Sequence, residues 1–411
     1  MTTNVATFME TGSLDAQQAI ASSDQGRINV LLLISSLEHG GAERQVVELA
    51  NHMDENRFDV TICSLSKHVP LAAGLRRRDQ RLVIIPRHRR FEWKPILGVA
   101  SLMRERKIHL VHCFLFDAEM IGRIAARLAR LAAVVASERN TDYQRPRLHA
   151  WSLRLTRSWF DVMIANSESG KRFNIRTLGL SSSRIHVIRN GVDVAKFRPL
   201  NVSVLRRHMR IPSTAPVVGM VAAFKKQKRH EDFFILAGRV LQRFPACKFL
   251  CVGEPLRENL QGSEDYHEEV KSMVRANGLV KHVLFLGHRQ DMPEIYNLCD
   301  VTVLTSSREG TPNVLLESMA CGVPVVATDV SDNVHLVPGG DVGYIVGVGQ
   351  VDEMGDRVCH LLADARKRQE RGRVAREWIV REFSAHALAR KTEAVYVDIL
   401  KKKGQASKRQ T

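Results

Sequence analysis

Residues 300–328 read DVTVLTSSREGTPNVLLESMACGVPVVAT, in the order strand, loop, helix, strand. Val301, Val303 and Leu304 form a short β-branched run of strand type. Thr311 is a favourable helix N-cap, and Pro312 stands where a first helical residue should be. Gly322 and Pro324 stop the helix, and 323–327 reads as the next buried strand. In a parallel sheet, the loop after the first of these strands lies at the carboxyl edge, where ligands bind. The backbone amides of Asn313 and Val314 then point out of the helix start and suit an anion. Glu309 stands just before the cap and Glu317 lies inside the helix. A buried strand–helix–strand unit with two solvated glutamates is the plain alternative. The Gly310-Thr311-Pro312 turn between the two acids argues against it.

The same alternation runs outward in both directions. Residues 28–35 (INVLLLIS) are continuously apolar, as a central parallel strand requires. A turn at His39-Gly40-Gly41-Ala42 follows, then a helix face of Val46, Val47, Leu49 and Ala50. The Gly40-Gly41 pair permits close approach of backbone to a ligand, but it is not a GxGxxG fingerprint, so dinucleotide binding is not indicated. Further strands are expected at 58–64, 82–86, 109–116, 133–137, 161–165 and 185–188, separated by helices. The pattern restarts at 217–222 and continues through 248–253, 282–287 and 343–346. Strands alternating with helices mean an α/β, doubly wound parallel sheet, and 411 residues suffice for two such domains.

The segment E309-GTPNVLL-E317, continued by SMACGVPVVATDVSDN, resembles the donor-sugar segment of the retaining, two-domain GT-B glycosyltransferases of family 4. The resemblance extends over about 28–401 and is strongest over 282–343. It implies a GT-B fold, with two Rossmann-like doubly wound domains facing across a cleft. The expected boundaries are a disordered leader at 1–26, a first, acceptor-side domain at 27–198 and a linker at 199–216. A nucleotide-sugar domain follows at 217–383, then a helix at 384–401 crossing back onto the first domain, and a basic tail at 402–411.

The resemblance also implies roles for residues. Glu309 holds donor-sugar hydroxyls, Glu317 accepts from the ribose, and Gly310, Thr311, Asn313 and Val314 form the turn and amides at the phosphate. Lys228 matches the lysine that meets the diphosphate. The neighbouring arginine position falls on Ala223, and Lys225 or Lys226 can supply that charge. Gly40 and Gly41 match the loop facing the donor phosphates and the acceptor. Gly253 and the 287–289 segment, with Arg289, match the loops around the nucleobase. Relatives often carry histidines where this chain has 112–117, and here only His112 remains. Arg139 replaces a histidine close to the reacting sugar; an arginine can hold phosphate but cannot act as a base at neutral pH. The implied reaction is transfer of a sugar from a nucleoside diphosphate, UDP-sugar favoured, to an acceptor hydroxyl. Retention through front-face attack is expected, with no cofactor. No Asp-x-Asp pair is placed for a metal. The acceptor class implied is a saccharide or a lipid-linked saccharide. A GT-B epimerase or hydrolase would share the donor site.

Composition bounds the remaining possibilities. Seven cysteines are scattered without a CxxC pair, which indicates neither zinc site nor disulfide frame and fits a cytoplasmic setting. The first residues lack the features of a signal peptide, and no apolar run is long enough to span a bilayer. The formal charge is +17. The excess sits mainly in the first half and includes the cluster 76–107. It fits either an anionic membrane surface, with the protein peripheral on its inner face, or a solvated basic surface. A nucleic-acid partner lacks any supporting motif. Residues 144–160 (QRPRLHAWSLRLTRSWF) form a basic amphipathic helix whose Leu148, Trp151, Leu155 and Trp159 are expected to pack on their own sheet, the membrane interface being the other option.

Overall fold

The computed structural model describes residues 26–88, 92–131, 133–139, 147–255 and 262–408. The leader at 1–25, residues 140–142 after the fifth strand, the start of the basic helix at 144–146, Leu256 and the last three residues of the tail lie outside the described residues. The chain divides into two compact units. The first runs to Asn166, resumes at Gly170–Ile188 and closes with residues from Leu388 onward. The second comprises Ser167–Ser169 and Arg189–Ala387.

The first unit is built on a seven-stranded parallel sheet. Its elements in order are β1 (Ile28–Ile34), α1 (Gly41–His52), β2 (Phe58–Ser64), β3 (Leu82–Ile84), α2 (Lys94–Glu105), β4 (Leu110–Phe114), α3 (Phe116–Ala129), β5 (Ala133–Glu138), α4 (Arg147–Leu155), β6 (Val162–Ala165), α5 (Glu168–Leu178) and β7 (Ile185–Val187). Strand order is β3-β2-β1-β4-β5-β6-β7. Val30 to Ile34 have no exposed surface because helices cover both faces of the sheet. One face packs on α1 and on Leu388, Ala389, Tyr396 and Ile399 of the final helix, and the other packs on α2, α3 and α4.

The second unit contains α6 (Ser203–His208), β8 (Val217–Val221), α7 (His230–Arg243), β9 (Lys248–Val252), α8 (Ser263–Ala276), β10 (Val283–Gly287), α9 (Met292–Leu298), β11 (Val301–Leu304), α10 (Asn313–Ala320), β12 (Val325–Thr328), β13 (Gly343–Val346), α11 (Val351–Ala363) and α12 (Ala365–Glu382). The last helix, α13 (Ala385–Lys408), starts in the second unit and ends in the first. Its six strands are parallel, in the order β10-β9-β8-β11-β12-β13. In both sheets the strand order reverses at one point, between β1 and β4 and between β8 and β11. Such a reversal leaves a crevice beyond the carboxyl ends of the two strands.

Three local expectations change. The expected linker at 199–216 is part of the second unit, whose border lies at Arg189. Val192, Phe197, Ile211 and Ala215 are buried in that unit's core, and Val192 exchanges backbone hydrogen bonds with Phe383 and Ala385. Pro312, not Thr311, occupies the cap position of α10; it is extended, and no side chain caps the helix. The apolar stripe of α4 does not pack on the sheet. Leu148, Trp151 and Leu155 are 57, 61 and 62% exposed, while Leu153, Thr156 and Phe160 form the buried face. The seven cysteines are all buried free thiols.

Candidate active site

At the reversal point of the second sheet, the loops that leave β8 and β11 carry Lys228 and Glu309. The β8 loop ends in a short helical turn, Lys226–Lys228, followed by Arg229 in the left-handed region at φ 52°. The two loops are fastened to each other. Thr305 Oγ1 donates to the carbonyls of Lys228 (2.7 Å) and Arg229 (3.0 Å), and the Ser307 amide donates to the Gln227 carbonyl (2.8 Å). This fastening sets Lys228 Nζ against Glu309 Oε1 at 2.5 Å. Arg229, next in sequence, is held bidentately by Asp232, which raises its pKa.

The start of α10 stands beside this pair in sequence and is positioned from elsewhere in the unit. Asn190 is buried, and its side-chain amide donates to the Thr311 carbonyl (2.9 Å) and to Asn313 Oδ1 (2.7 Å). In sequence, Asn190 stands only before Gly191, an Asn-Gly pair that signals a turn. Its supporting role follows from the placement of 189–216 in the second unit. Thr311 is buried, whereas Gly310, Asn313 and Val314 are partly exposed. The helix terminus therefore presents backbone amides at an accessible carboxyl edge, a favourable place for an anion.

Glu317 lies in the interior. It is 3% exposed, and its Oε2 accepts from the Tyr296 hydroxyl at 2.8 Å. α9 packs Tyr296 under α10 and fixes the carboxylate from below. Gly253 directly follows β9, and Gly287 ends β10. Gly253 has φ 146°, and a Cβ there would lie 2.0 Å from the Ala222 carbonyl oxygen, so the end of β9 tolerates no larger residue. Gly253 N also donates to Gly287 O (3.0 Å). Arg289 forms a bidentate pair with Asp291, which raises the arginine's pKa and lowers that of the aspartate. Its guanidinium is directed to its own loop, not held out toward a base.

The other sequence-derived residues belong to the first unit. Gly40 is the cap of α1 and Gly41 its first residue, at the end of the β1 loop. His112 is not at a strand end: it pairs with Leu32 and Val135 in the middle of the sheet and has no exposed surface. Its Nδ1 is 2.6 Å from the Tyr396 hydroxyl. Burial, together with the Arg139 charge, pushes its pKa well below the ordinary histidine range. A ring so enclosed cannot reach a substrate, which corrects its assignment as catalytic. Arg139 follows β5 but folds inward. It is 8% exposed, its Nε donates to Ser137 Oγ (2.8 Å), and its guanidinium lies over the Phe114 ring at 5.2 Å. Burial lowers its pKa to about 10, so it remains a cation at neutral pH. Arg139 is thus a buried neighbour of His112 and Tyr396 and not an outward phosphate clamp.

The second unit therefore gathers a lysine, a carboxylate, a helix start and a second, core-anchored carboxylate. That set suits a ligand with anionic and hydroxyl-rich parts. Residues 202–378 match the family model described as glycosyl transferases group 1, and residues 39–196 match that of glycosyltransferase family 4. The chain is 27% identical over 217 residues to an N-acetyl-alpha-D-glucosaminyl L-malate synthase of Bacillus anthracis, a match spanning 53% of this chain and about half (54%) of that protein. It is 25% identical over 321 residues to a UDP-Gal:alpha-D-GlcNAc-diphosphoundecaprenol alpha-1,3-galactosyltransferase of Escherichia coli, covering 75% of this chain and 80% of that one. The fold matches that of Anabaena HepE, solved in complex with UDP, with a TM-score of 0.79 at 21% identity over 90% of this chain and 100% of that chain. With both halves matched and two Rossmann-like parallel-sheet domains of the GT-B type, the chain belongs to the group 1 glycosyl transferases.

Proposed function

We propose that the protein transfers a hexosyl group, with retention, from a nucleoside diphosphate sugar to a hydroxyl of a saccharide or lipid-linked saccharide acceptor. The observation that carries this reading is the Lys228–Glu309 pair set beside the start of α10 at the reversal point of the second sheet. Departure of a nucleoside diphosphate develops negative charge on phosphate oxygens. Preorganised donors aimed at that charge lower the barrier. Lys228 and the amides of Asn313 and Val314 are those donors. Glu309 takes the donor-sugar hydroxyls, and Glu317, held by Tyr296, takes the ribose side. Gly253 and the backbone at 287–289 border the base, and Gly40 and Gly41 belong to the acceptor side. Attack on the same face as the departing phosphate needs no enzyme nucleophile. A UDP-sugar is favoured as donor: HepE has been solved with UDP-glucose, and the Escherichia coli relative bears the name of a UDP-Gal enzyme with a lipid diphosphate acceptor.

The test is a thermal-shift panel of UDP-, GDP- and ADP-sugars on the full chain. A ligand present at 100 times its Kd stabilises the folded state by about 2.7 kcal/mol. A rise with one nucleotide class supports the reading, and no rise with any of them overturns it.

A further inference from the structure

The outer layer of the first unit carries a feature that the donor site does not use. Helices α2, α3 and α4 cover one face of the seven-stranded sheet, joined to each other and to the core through Leu102, Ile121, Leu153 and Phe160. Phe116 stacks on His149 at 3.9 Å, tying the start of α3 to α4. The inner surface of the layer is thus fully engaged. Its outward side nevertheless exposes Trp93, Leu97, Leu128, Leu148, Trp151 and Leu155. Among the described residues, every exposed tryptophan and leucine lies on this layer; the other exposed large apolar residues are valines and isoleucines. Spacing orders them. Trp93 and Leu97 are four residues apart on α2, and Leu148, Trp151 and Leu155 follow at three and four on α4, so each set forms one stripe.

The exposed charge around the stripes is predominantly positive. Lys94 and Arg104 on α2, Arg127 and Arg130 at the end of α3, and Arg154 and Arg157 on or after α4 are all exposed. Glu105 is the exposed acid on these helices among the described residues. None of the six cations forms an ion pair with a described carboxylate. Arg104 and Arg157 donate to backbone carbonyls, and Arg127 lies over the Trp159 ring at 5.0 Å. No described helix is long and apolar enough to cross a membrane. Exposed tryptophan and leucine within a field of uncompensated arginine and lysine are the requirements of an interfacial surface: the rings enter the headgroup boundary and the cations meet lipid phosphate.

We propose that the outward face of α2, α3 and α4 binds an anionic lipid bilayer surface, with Trp93, Trp151 and Leu155 entering the interface. This deepens the proposed function by bringing the protein to where a lipid-linked acceptor resides, but it rests on the first unit alone. The test is co-sedimentation of the full chain with vesicles of phosphatidylglycerol and phosphatidylethanolamine, against vesicles of phosphatidylcholine only. The protein should partition to the anionic vesicles, with a blue shift of tryptophan emission, and release as salt rises. Arg154→Glu with Arg157→Glu should lower the partition by roughly tenfold or more. Trp151→Ser with Leu155→Ser should abolish the blue shift. Both double variants should keep the wild-type melting temperature and nucleotide-sugar thermal shift, because these side chains are exposed and remote in sequence from Lys228 and Glu309. Failure of the wild type to bind anionic vesicles, equal binding of the variants, or concentration-dependent self-association through this face without vesicle binding would overturn the proposal. None of these outcomes would alter the nucleotide-sugar shift, on which the proposed function stands.

Discussion

Lys228 Nζ and Glu309 Oε1 are 2.5 Å apart, although the residues are 81 positions apart in the chain. Both side chains are largely buried, and each is the other's counter-charge. On the proposed function, a diphosphate entering the site would take Lys228 as a partner, while a sugar hydroxyl would donate to Glu309. Glu309→Gln keeps the shape and removes the charge, so turnover should fall by about a hundredfold or more while nucleotide stabilisation persists. Lys228→Ala should weaken nucleotide-sugar binding and lower stability by about 1–3 kcal/mol, because Glu309 loses its partner in a low-dielectric setting. Steady-state kinetics with melting curves in UDP separate these effects. Full activity in Glu309→Gln would remove this carboxylate from the reaction.

Tyr296 holds Glu317 from beneath. Tyr296→Phe retains the ring and its edge contact with Phe197 at 6.1 Å but deletes the hydroxyl. The expected cost is about 1–2 kcal/mol in stability, with a severalfold weaker affinity for UDP, since the carboxylate is no longer fixed. Glu317→Ala should weaken UDP more than Tyr296→Phe does. Calorimetric titration of UDP into both variants checks the order; unchanged affinity in each would mean that Glu317 serves packing alone.

Much of this fold was legible from residues alone because parallel strands buried on both faces read as unbroken apolar runs, as at Val30 to Ile34 and Val325 to Ala327. The segment 309–317 was legible because its spacing is local: a strand end, a turn and a helix start lie within a few residues. Side-chain direction was not. Nothing near His112 in sequence reveals that Tyr396, 284 residues later, seals it in the core. Arg139 turns inward toward Ser137 and Phe114, a contact set by neighbouring strands. Asn190 was hidden for the same reason, since its partners Thr311 and Asn313 become visible only when the sheet order is known. The outward stripe of α4 shows the complementary limit: periodicity revealed an apolar face, but Leu153, offset from that stripe, is the residue that meets the sheet.

Asn190 holds the helix start through two donated hydrogen bonds, to Thr311 O and Asn313 Oδ1. Asn190→Ala removes both and should raise KM for the donor severalfold while lowering stability by about 1–2 kcal/mol. Asn190→Asp has the same shape but only acceptor oxygens when ionised, so it should not rescue the alanine variant. Kinetics and melting of the two variants test this, and wild-type behaviour of Asn190→Asp would rule out the donor role.

If Lys228 and the start of α10 meet the charge on the leaving diphosphate, as proposed, transfer should proceed without a divalent ion. Activity measured in excess chelator should equal activity in magnesium or manganese. Complete loss with chelator, restored by manganese, would require a metal at the phosphates.

His112 and His230 make stability depend on acid. His230 has no exposed surface and stacks on Phe224 at 4.4 Å; burial chiefly, with the nearby Lys228 and His267 charges, lowers its pKa to about 3. His112 is lowered by burial and by Arg139. Both are neutral in the folded protein, whereas unfolded histidines take up a proton near pH 6.5. Below that pH the unfolded chain binds more protons than the folded one, so these groups contribute stability above about pH 6.5 and lose it as pH falls toward the folded values. Each contributes a slope of up to about 1.4 kcal/mol per pH unit in that window. His230→Phe preserves the aromatic stack and cannot take up a proton when unfolded. Urea unfolding at pH 7, 6, 5 and 4 should therefore show the variant losing less stability than the wild type between about pH 6.5 and pH 4. Parallel curves for the two proteins would mean that His230 is solvated or already protonated in the folded state.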